Sequence, residues 1–268
     1  MSLLSADKIE AFNKRGANVI PGAFGENLVV EGFDFRALPV GTLLRCGDVL
    51  LEMTQIGKEC HSHCEIYKKM GECIMPREGV FARVIEPGSI SVGDEMSIEK
   101  REGHFPWQAA VITLSDKAAA GERKDESGPA IAKRLREASY EVVEEIVIPD
   151  DERVLKQQLI RLCDQRQLDL ILTTGGTGCS ARDITPEATL AIADKNVPGI
   201  AEAMRAESLK ITRHAMISRA ASVIRGKTLI INLPGSSRAC MENMDVFMDT
   251  IPHAMGLLRN EVHDCARK

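Results

Sequence analysis

The chain has 268 residues and a formal net charge of −5. This acidic balance argues against a polyanionic partner such as nucleic acid or an anionic membrane surface. The longest apolar runs fall far below the roughly 18 residues of a membrane helix, and the first residues lack a signal-peptide apolar region, so we expect a cytoplasmic protein whose eight cysteines are thiols.

Short strand patterns divided by turn residues fill the first 102 residues. The strands are predicted at 27–30, 42–45, 49–55, 80–85 and 95–99. Gly-Asp and Pro-Gly pairs separate them, and long helical patterns are few. The pattern predicts a small β-rich, barrel-like domain over residues 1–102.

The pattern changes after a polar linker at residues 103–106, and strands alternate with helices over residues 107–262. Strands are predicted at 108–114, 141–148, 170–172 and 228–232, with helices at 127–139, 151–167, 185–194 and 199–211 and one long helix at the C-terminal end. Such alternation is typical of an α/β fold in which helices cover both faces of a mostly parallel sheet. We therefore predict a three-layer α/β domain preceded by the smaller β-rich domain.

The predicted C-terminal helix carries a continuous apolar seam. Its members recur three and four residues apart: Met241, Met244, Met248, Ile251, Met255 and Leu258. A methionine-rich seam can be a binding surface, but we expect this one to pack against the sheet or against a neighbouring subunit.

The segment after the strand at 170–172 has the local chemistry of a phosphate site. It contains three glycines that tolerate positive φ and let main-chain amides approach an anion: Gly175, Gly176 and Gly178. Thr185 is the predicted N-cap of the next helix, and Pro186 and Glu187 suit its first turn. Asp183, two residues before that cap, is placed to hold a divalent cation beside a phosphate. The alternative is an ordinary strand-to-helix loop.

Polar loops follow all of the main predicted strands of this domain. They contain Ser115 and Asp116, then Asp150, then residues 174–183, then residues 232–236. Ligands of a doubly wound sheet bind beyond the carboxyl ends of its strands. We therefore expect the loops to form one polar pocket.

The motifs in these loops resemble those of the molybdopterin adenylyltransferases of molybdenum cofactor biosynthesis. They are LSD at 114–116, IPD at 148–150, TTGGTG at 173–178, DITPEA at 183–188 and NLPGS at 232–236, in the order and approximate spacing of that family. The resemblance implies an enzyme that uses ATP and Mg²⁺ to adenylylate the terminal phosphate of molybdopterin, with release of pyrophosphate. It also implies a homotrimer, with a molybdenum-insertion enzyme as a further partner.

The same resemblance assigns the site residues. Asp150 and Asp183 match the two catalytic carboxylates and would hold Mg²⁺. The implied substrate and nucleotide contacts are Ser115, Asp116, Thr174, Gly175, Gly176, Thr177, Gly178, Thr185, Glu187, Ser218, Asn232, Pro234, Gly235 and Ser236. Read from the residues alone, Asp150 could instead cap a helix, and Ser115 with Asp116 could form a local turn. Arg182 and Arg219 could stabilise phosphate charge or be solvated.

The first half resembles the molybdenum cofactor sulfurase C-terminal (MOSC) domain. The motifs are PGAFGENL at 21–28, LPVGT at 38–42 and QIGKEC at 55–60. The resemblance implies cofactor binding or sulfur transfer through Cys60. It is partial, because strands that the family has before this point are missing, and those edges would need covering.

Two alternatives stay open at this level. Cys60, His61, His63, Cys64 and Cys73 lie close enough in sequence to suggest zinc binding, although their spacing matches no common zinc motif, and they could also be reactive or structural thiols. The whole chain could be a non-catalytic carrier of molybdopterin or its cofactor instead of an enzyme, because a fold does not guarantee its chemistry.

Overall fold

The computed structural model describes residues 1–58, 64–100 and 105–260 and divides the chain into two compact units, Met1–His104 and Phe105–Lys268. Each unit contains a six-stranded sheet. Among the described residues, no helix combines the length and apolar character needed to cross a membrane.

The first unit is a mainly antiparallel sheet with helices beside it. Its strands are β1 (Ser2–Ser5), β2 (Leu28–Val30), β3 (Leu43–Cys46), β4 (Val49–Ile56), β5 (Val80–Glu86) and β6 (Met96–Glu99), in the spatial order β2-β1-β5-β4-β3-β6. Its helices are α1 (Ala6–Lys14), α2 (Glu65–Met70) and α3 (Met75–Glu78). All neighbouring strands in this order are antiparallel except β1 and β2, which are parallel. The predicted β-rich half is confirmed.

The first strand and helix of this unit were absent from the sequence prediction. Leu3 and Leu4 in β1 are both fully buried, and they belong to different apolar clusters. Leu3 packs with Leu44 and Leu51, whereas Leu4 packs with Phe12 of α1. A four-residue strand buried on both faces has no alternating pattern, so this sequence carried no signal that separates it from the helix after it.

The second unit has a mixed sheet whose central strands are parallel. Its strands are β7 (Gln108–Leu114), β8 (Glu141–Ile148), β9 (Leu170–Thr174), β10 (Lys195–Asn196), β11 (Ser222–Arg225) and β12 (Thr228–Leu233), in the order β10-β11-β12-β9-β7-β8. The four from β12 to β8 are parallel, and β10 and β11 add antiparallel pairings at one edge. The sequence prediction missed β10 and β11. Gly226, with φ of +56°, lies in the tight turn that joins β11 to β12.

Helices cover both faces of this sheet. They are α4 (Asp116–Ala119), α5 (Ser127–Glu137), α6 (Glu152–Ile160), α7 (Thr185–Ala191), α8 (Pro198–Leu209), α9 (Ser237–Phe247) and α10 (Ile251–Leu258). Alternate residues of β7 enter two different cores: Ala109 and Val111 pack with α5 and α9, and Ala110 and Ile112 pack with α6. The predicted three-layer α/β architecture is confirmed.

The predicted long C-terminal helix is two helices, α9 and α10. Pro252 lies in the first turn of α10, where no N–H is needed, but in a continuous helix it would clash with the carbonyl four residues earlier, at Met248, the C-cap residue of α9. The apolar seam nevertheless continues across the break. Met244, Met248, Ile251 and Met255 are buried in the core that includes Leu229 of the sheet, so the seam packs against the sheet as expected.

Candidate active site

The sheet brings the motif-bearing loops to one edge. Leu114 at the end of β7 pairs with Ile148 at the end of β8, and Leu233 at the end of β12 pairs with Thr174 of β9. The loops after all four parallel strands therefore begin side by side, as expected from the sequence.

Asp116 and Asp150 join the first two of these loops. The backbone N–H of Asp150 donates to Asp116 Oδ1 at 3.0 Å, and the N–H of Asp116 donates to Asp150 Oδ2 at 3.2 Å. Asp116 also pairs with Arg182. Asp151, rather than Asp150, caps α6 by accepting from the N–H of Val154. Asp116 thus connects the two loops. Within the described chain, Asp150 Oδ1 accepts no hydrogen bond.

Asp183 lies close to Asp150. The pKa of Asp150 is raised above its ordinary value, first by burial and second by the negative charge of Asp183. Asp183 Oδ2 accepts a hydrogen bond from the N–H of Ser180 at 2.7 Å, while Oδ1 has no such partner in the described chain. Each carboxylate therefore has one oxygen fixed by backbone and one free for a ligand.

These two carboxylates fit a magnesium ion that also binds substrate. Mg²⁺ is typically held by one or two carboxylates together with water and substrate phosphates. Residues 1–58, 64–100 and 105–260 contain no group of three or more His, Cys, Asp or Glu side chains arranged to hold a metal. An ion at Asp150 and Asp183 would accordingly need oxygens from substrate, which suits a phosphate-transfer site.

The glycine turn contains two residues in the left-handed region. Gly175 has φ of +97° and Gly176 has φ of +64°. Gly178 does not have positive φ, so the turn uses the left-handed freedom of glycine at Gly175 and Gly176 but not at Gly178. A Cβ on Gly178 would instead lie 3.0 Å from Asp183 Oδ2, so glycine here leaves room for the carboxylate.

Thr185 is the first residue of α7 and not its N-cap, which corrects the sequence prediction. Its hydroxyl donates to the carbonyl of Gly175 at 2.8 Å, and its N–H donates to the carbonyl of Gly176 at 3.1 Å. Because Thr185 is fully buried, it stabilises the turn from the protein interior and does not face solvent.

Arg219 holds the other half of the turn. Its backbone N–H donates to the carbonyl of Thr177 at 3.0 Å, and its Nε donates to the carbonyl of Gly178 at 2.6 Å. A third donation, at 2.6 Å, reaches the carbonyl of Asp183, and the guanidinium also pairs with Glu187. The side chains of Arg219 and Glu187 therefore bond within the protein, whereas the sequence suggests a contact with substrate for each.

Four consecutive carbonyls of the turn, from Gly175 to Gly178, are thus bonded to Thr185 and Arg219. No group in the described chain accepts a hydrogen bond from the N–H of Gly176, Thr177 or Gly178. A turn with engaged carbonyls and unengaged amides has the polarity of an anion-binding backbone.

The loop after β12 is fixed in the same way. The carbonyl of Pro234 accepts from Thr174 Oγ1 at 2.7 Å, and the carbonyl of Gly235 accepts from Ser127 Oγ at 3.0 Å. Ser236 caps α9 through its hydroxyl. Ser115 likewise caps α4.

Asn232 does not reach the surface of the site. It is fully buried, and its amide donates to Thr173 Oγ1 and Thr189 Oγ1, each at 3.0 Å, while its Oδ1 accepts from the N–H of Ala221 at 3.2 Å. These bonds join β12 to β9, α7 and the start of β11. The position does not support the expected substrate contact and gives Asn232 a structural role.

Two cavities adjoin the turns. The first, of about 180 Å³, is lined by Ser115, Thr174, Gly175 and Gly235 together with the charged residues Arg123, Lys124, Asp125 and Glu126. The second, of about 260 Å³, is lined by Thr177, Gly178, Ser218 and Pro234, and its apolar wall includes Met204, Ile211, Ala215 and Ile217. The sequence prediction contains neither the charged group nor the apolar wall.

Asp125 is a site residue that the sequence prediction missed but that could have been recognised. Its carboxylate accepts from Thr113 Oγ1 and from the N–H groups of Ser127 and Gly128, at 2.7, 3.0 and 3.1 Å. An acidic residue just before a helix is an N-terminal signal, and this one places the start of α5 beside the first cavity.

The predicted sulfur and zinc sites in the first unit involve Cys60, His61 and His63, which lie outside the described residues. Of the other two candidates, Cys64 is exposed and Cys73 is buried. Both hypotheses stay predictions.

Comparisons with known proteins agree with the two resemblances. Residues 110–253 match the family model of a probable molybdopterin binding domain, and residues 1–97 match that of the MOSC domain. The chain is 41% identical over 150 residues to the molybdopterin adenylyltransferase of Helicobacter pylori strain J99, covering 55% of this chain and 85% of that protein. Against the molybdopterin adenylyltransferase of Escherichia coli K12 it is 40% identical over 142 residues, which cover 52% of this chain and 72% of that protein.

The fold of the second unit also matches a solved structure. The crystal structure of the molybdopterin biosynthesis enzyme MoaB from Thermus thermophilus aligns with a TM-score of 0.55 and 41% identity. The alignment covers 57% of this chain and 97% of the MoaB chain, so the similarity extends over nearly all of that smaller protein.

Proposed function

Because the chain belongs to the family of probable molybdopterin binding domains, we propose that it is a molybdopterin adenylyltransferase, a nucleotidyltransferase that moves AMP from ATP to the terminal phosphate of molybdopterin. The 41% identical relative that carries this name supports the proposal. The observation that carries it is the electrostatic interaction of Asp150 with Asp183 beside a glycine turn whose amides have no acceptor in the described chain.

The reaction joins two anions, so the site must neutralise charge and align the groups. An oxygen of the molybdopterin phosphate attacks the α-phosphorus of ATP. The bond from that phosphorus to the bridging oxygen breaks, and pyrophosphate leaves with the electron pair. Mg²⁺, when bound, supplies Lewis-acid neutralisation of the phosphate charge.

The chain's own residues divide this task. Asp150 and Asp183 would hold the cation through the oxygens that the backbone leaves free. The amides of Gly176, Thr177 and Gly178 donate to phosphate oxygens, because their carbonyls are held by Thr185 and Arg219.

The cavities suit different parts of the substrates. Arg123 and Lys124 give the smaller cavity donors for phosphate oxygens. The larger cavity has an apolar wall with a few polar groups, as is common in small-molecule sites. We place a heterocycle of one substrate there, beside Ser218.

The remaining assignments rest on the family resemblance. We propose a homotrimer that works in the cytoplasm and passes its product to a molybdenum-insertion enzyme. Light scattering tests the oligomer, since a trimer has three times the 29.3 kDa of one chain.

For the first half we propose a MOSC-like domain over residues 1–102, joined through 103–106 to the transferase domain at 107–262. The match of residues 1–97 to the MOSC family supports this division. Sulfur transfer through Cys60 would require a persulfide on that thiol, which mass spectrometry of the cysteine-containing peptide would detect.

The main proposal is tested by omitting one component at a time. Purified chain with ATP, molybdopterin and Mg²⁺ should release pyrophosphate and form adenylylated pterin, and omission of any of the three should stop both. A carrier would instead bind molybdopterin with the same affinity whether ATP is present or not, and would release no pyrophosphate.

A further inference from the structure

Among the described residues, Arg219 is the one side chain that bonds to the glycine turn, to the backbone of Asp183 and to helix α7. It precedes β11, and its donors reach Gly178, Asp183 and Glu187. We infer that Arg219 is the positioning residue of the proposed metal site and that it links the apolar cavity to the cation. This inference rests on the proposed function.

The contacts require an arginine. The guanidinium has five N–H donors in a fixed plane, so it can donate in several directions at once. Here Nε bonds the carbonyl of Gly178, one terminal nitrogen bonds the carbonyl of Asp183, and the other pairs with Glu187. A lysine has a single nitrogen and cannot span these groups from one position.

The orientation of Asp183 depends on these bonds. Its N–H donates to the carbonyl of Ser180 at 3.0 Å, and its carboxylate accepts from the N–H of Ser180 at 2.7 Å. Ser180 is exposed, so this local turn has little packing of its own. The bond from Arg219 to the Asp183 carbonyl attaches the turn to the rest of the unit, and its loss would leave the carboxylate free to move relative to Asp150.

The same arginine joins two segments that line the apolar cavity. Ile217 and Ser218 line it immediately before Arg219, and Thr177 and Gly178 line it from the turn that Arg219 holds. A ligand in the cavity contacts both segments and therefore stabilises the bonded arrangement. By reciprocity, the cavity ligand and the cation should each strengthen the binding of the other.

Metal affinity tests this without reference to turnover. Mn²⁺, as a stand-in for Mg²⁺, can be titrated into the full chain with ATP present, and bound ion measured by electron paramagnetic resonance. We expect Arg219→Gln to raise the Mn²⁺ dissociation constant at least tenfold, with partial rescue in Arg219→Lys. Glu187→Gln removes the ion pair and leaves both carbonyl bonds, so its effect should be smaller.

Arg225→Gln is the matched control. Arg225 donates to the carbonyl of Ile192 at 2.8 Å and pairs with Asp164. It pairs in the sheet with Thr228, the first residue of β12, so it lies at the amino ends of the parallel strands, opposite the candidate site. It should lose stability as Arg219→Gln does, but keep wild-type Mn²⁺ affinity. A purely structural role for Arg219 predicts the same pattern for both variants.

The outcomes separate the two claims. If the wild-type chain binds Mn²⁺ and folded Arg219→Gln binds it equally well, the inference about Arg219 is wrong and the proposed function stands. If the wild-type chain binds no Mn²⁺ with ATP, the metal role in the proposed function fails, and the inference fails with it.

Discussion

Gly175→Ala tests the glycine turn most sharply, because the structure opposes a side chain there in two ways. The residue has φ of +97°, and an added Cβ would lie 2.4 Å from the carbonyl oxygen of Leu114 at the end of β7. The left-handed backbone costs about 1–2 kcal/mol for an L-residue. Relieving the overlap by moving packed backbone costs about 1–3 kcal/mol more.

We therefore expect Gly175→Ala to lower the free energy of unfolding of the second unit by about 2–5 kcal/mol. The matched control is Gly235→Ala in the neighbouring loop, where the nearest atom to the new Cβ is the Gly175 Cα at an ordinary 3.6 Å and φ is not positive. Its change should stay within about 1 kcal/mol, with either sign.

A convenient signal exists for this measurement. The chain has a single tryptophan, Trp107, which lies in the second unit with the guanidinium carbon of Arg259 4.1 Å from its ring centre. Its fluorescence should report unfolding of that unit by urea or heat. For a unit of this size, a loss of about 2 kcal/mol lowers the melting temperature by about 4–8 °C. Equal unfolding midpoints for Gly175→Ala and Gly235→Ala would refute the left-handed, closely packed conformation of Gly175.

Further predictions concern buried polar groups. Asn232→Leu should cost about 3 kcal/mol, since three hydrogen bonds of about 1 kcal/mol each are lost, and should leave the KM for ATP unchanged in the folded fraction; a selective rise in KM with unchanged stability would restore a substrate role. Thr185→Val should lower stability by about 1–3 kcal/mol, because the Gly175 carbonyl loses the hydrogen bond from the fully buried Thr185 hydroxyl, as urea unfolding would measure. Burial, and to a lesser degree the charge of Asp169, raises the pKa of Tyr140 to about 12. The unfolded chain therefore ionises this tyrosine first, so the stability linked to it is complete below about pH 10 and falls as the pH rises toward 12. Tyr140→Phe should remove this fall, and an unchanged alkaline profile of the unfolding midpoint would contradict the assignment.

The sequence predicted the parts of the site that depend on short segments. Strand ends, glycines and acidic residues occur together within a few positions, as in the segment from Thr174 to Asp183, and the parallel sheet then places such segments at one edge. The order of motifs was therefore enough to propose the site and its two carboxylates.

What the sequence could not predict depends on contacts between distant segments. Nothing around Asn232 distinguishes a ligand contact from a bond to Thr173 and Thr189, because the difference is set by the packing of α7 over the sheet. Arg219 is separated by more than 30 residues from the carbonyls it bonds. The N-cap of α7 was misplaced for the same reason, since the hydroxyl of Thr185 is taken by the turn.

The short strands at one side of the second sheet, β10 and β11, were the other source of error. β10 has two residues, both exposed, and β11 has four, so neither carries enough periodicity to be recognised as a strand. Both are defined by their pairing within the sheet, β10 with β11 and β11 with β12.

The proposed reaction requires Asp150 and Asp183 to act together on one cation. The direct measurement is pyrophosphate release from ATP, with molybdopterin and Mg²⁺ saturating, by Asp150→Asn and Asp183→Asn. The control is Asp164→Asn, which alters the carboxylate that pairs with Arg225 at the amino ends of the parallel strands, away from the candidate site. We predict that both site variants lose activity by about 100-fold or more, as expected when a group that stabilises transition-state charge is removed, while the control keeps it. Wild-type rates in both site variants would show that these carboxylates do not act on a catalytic cation.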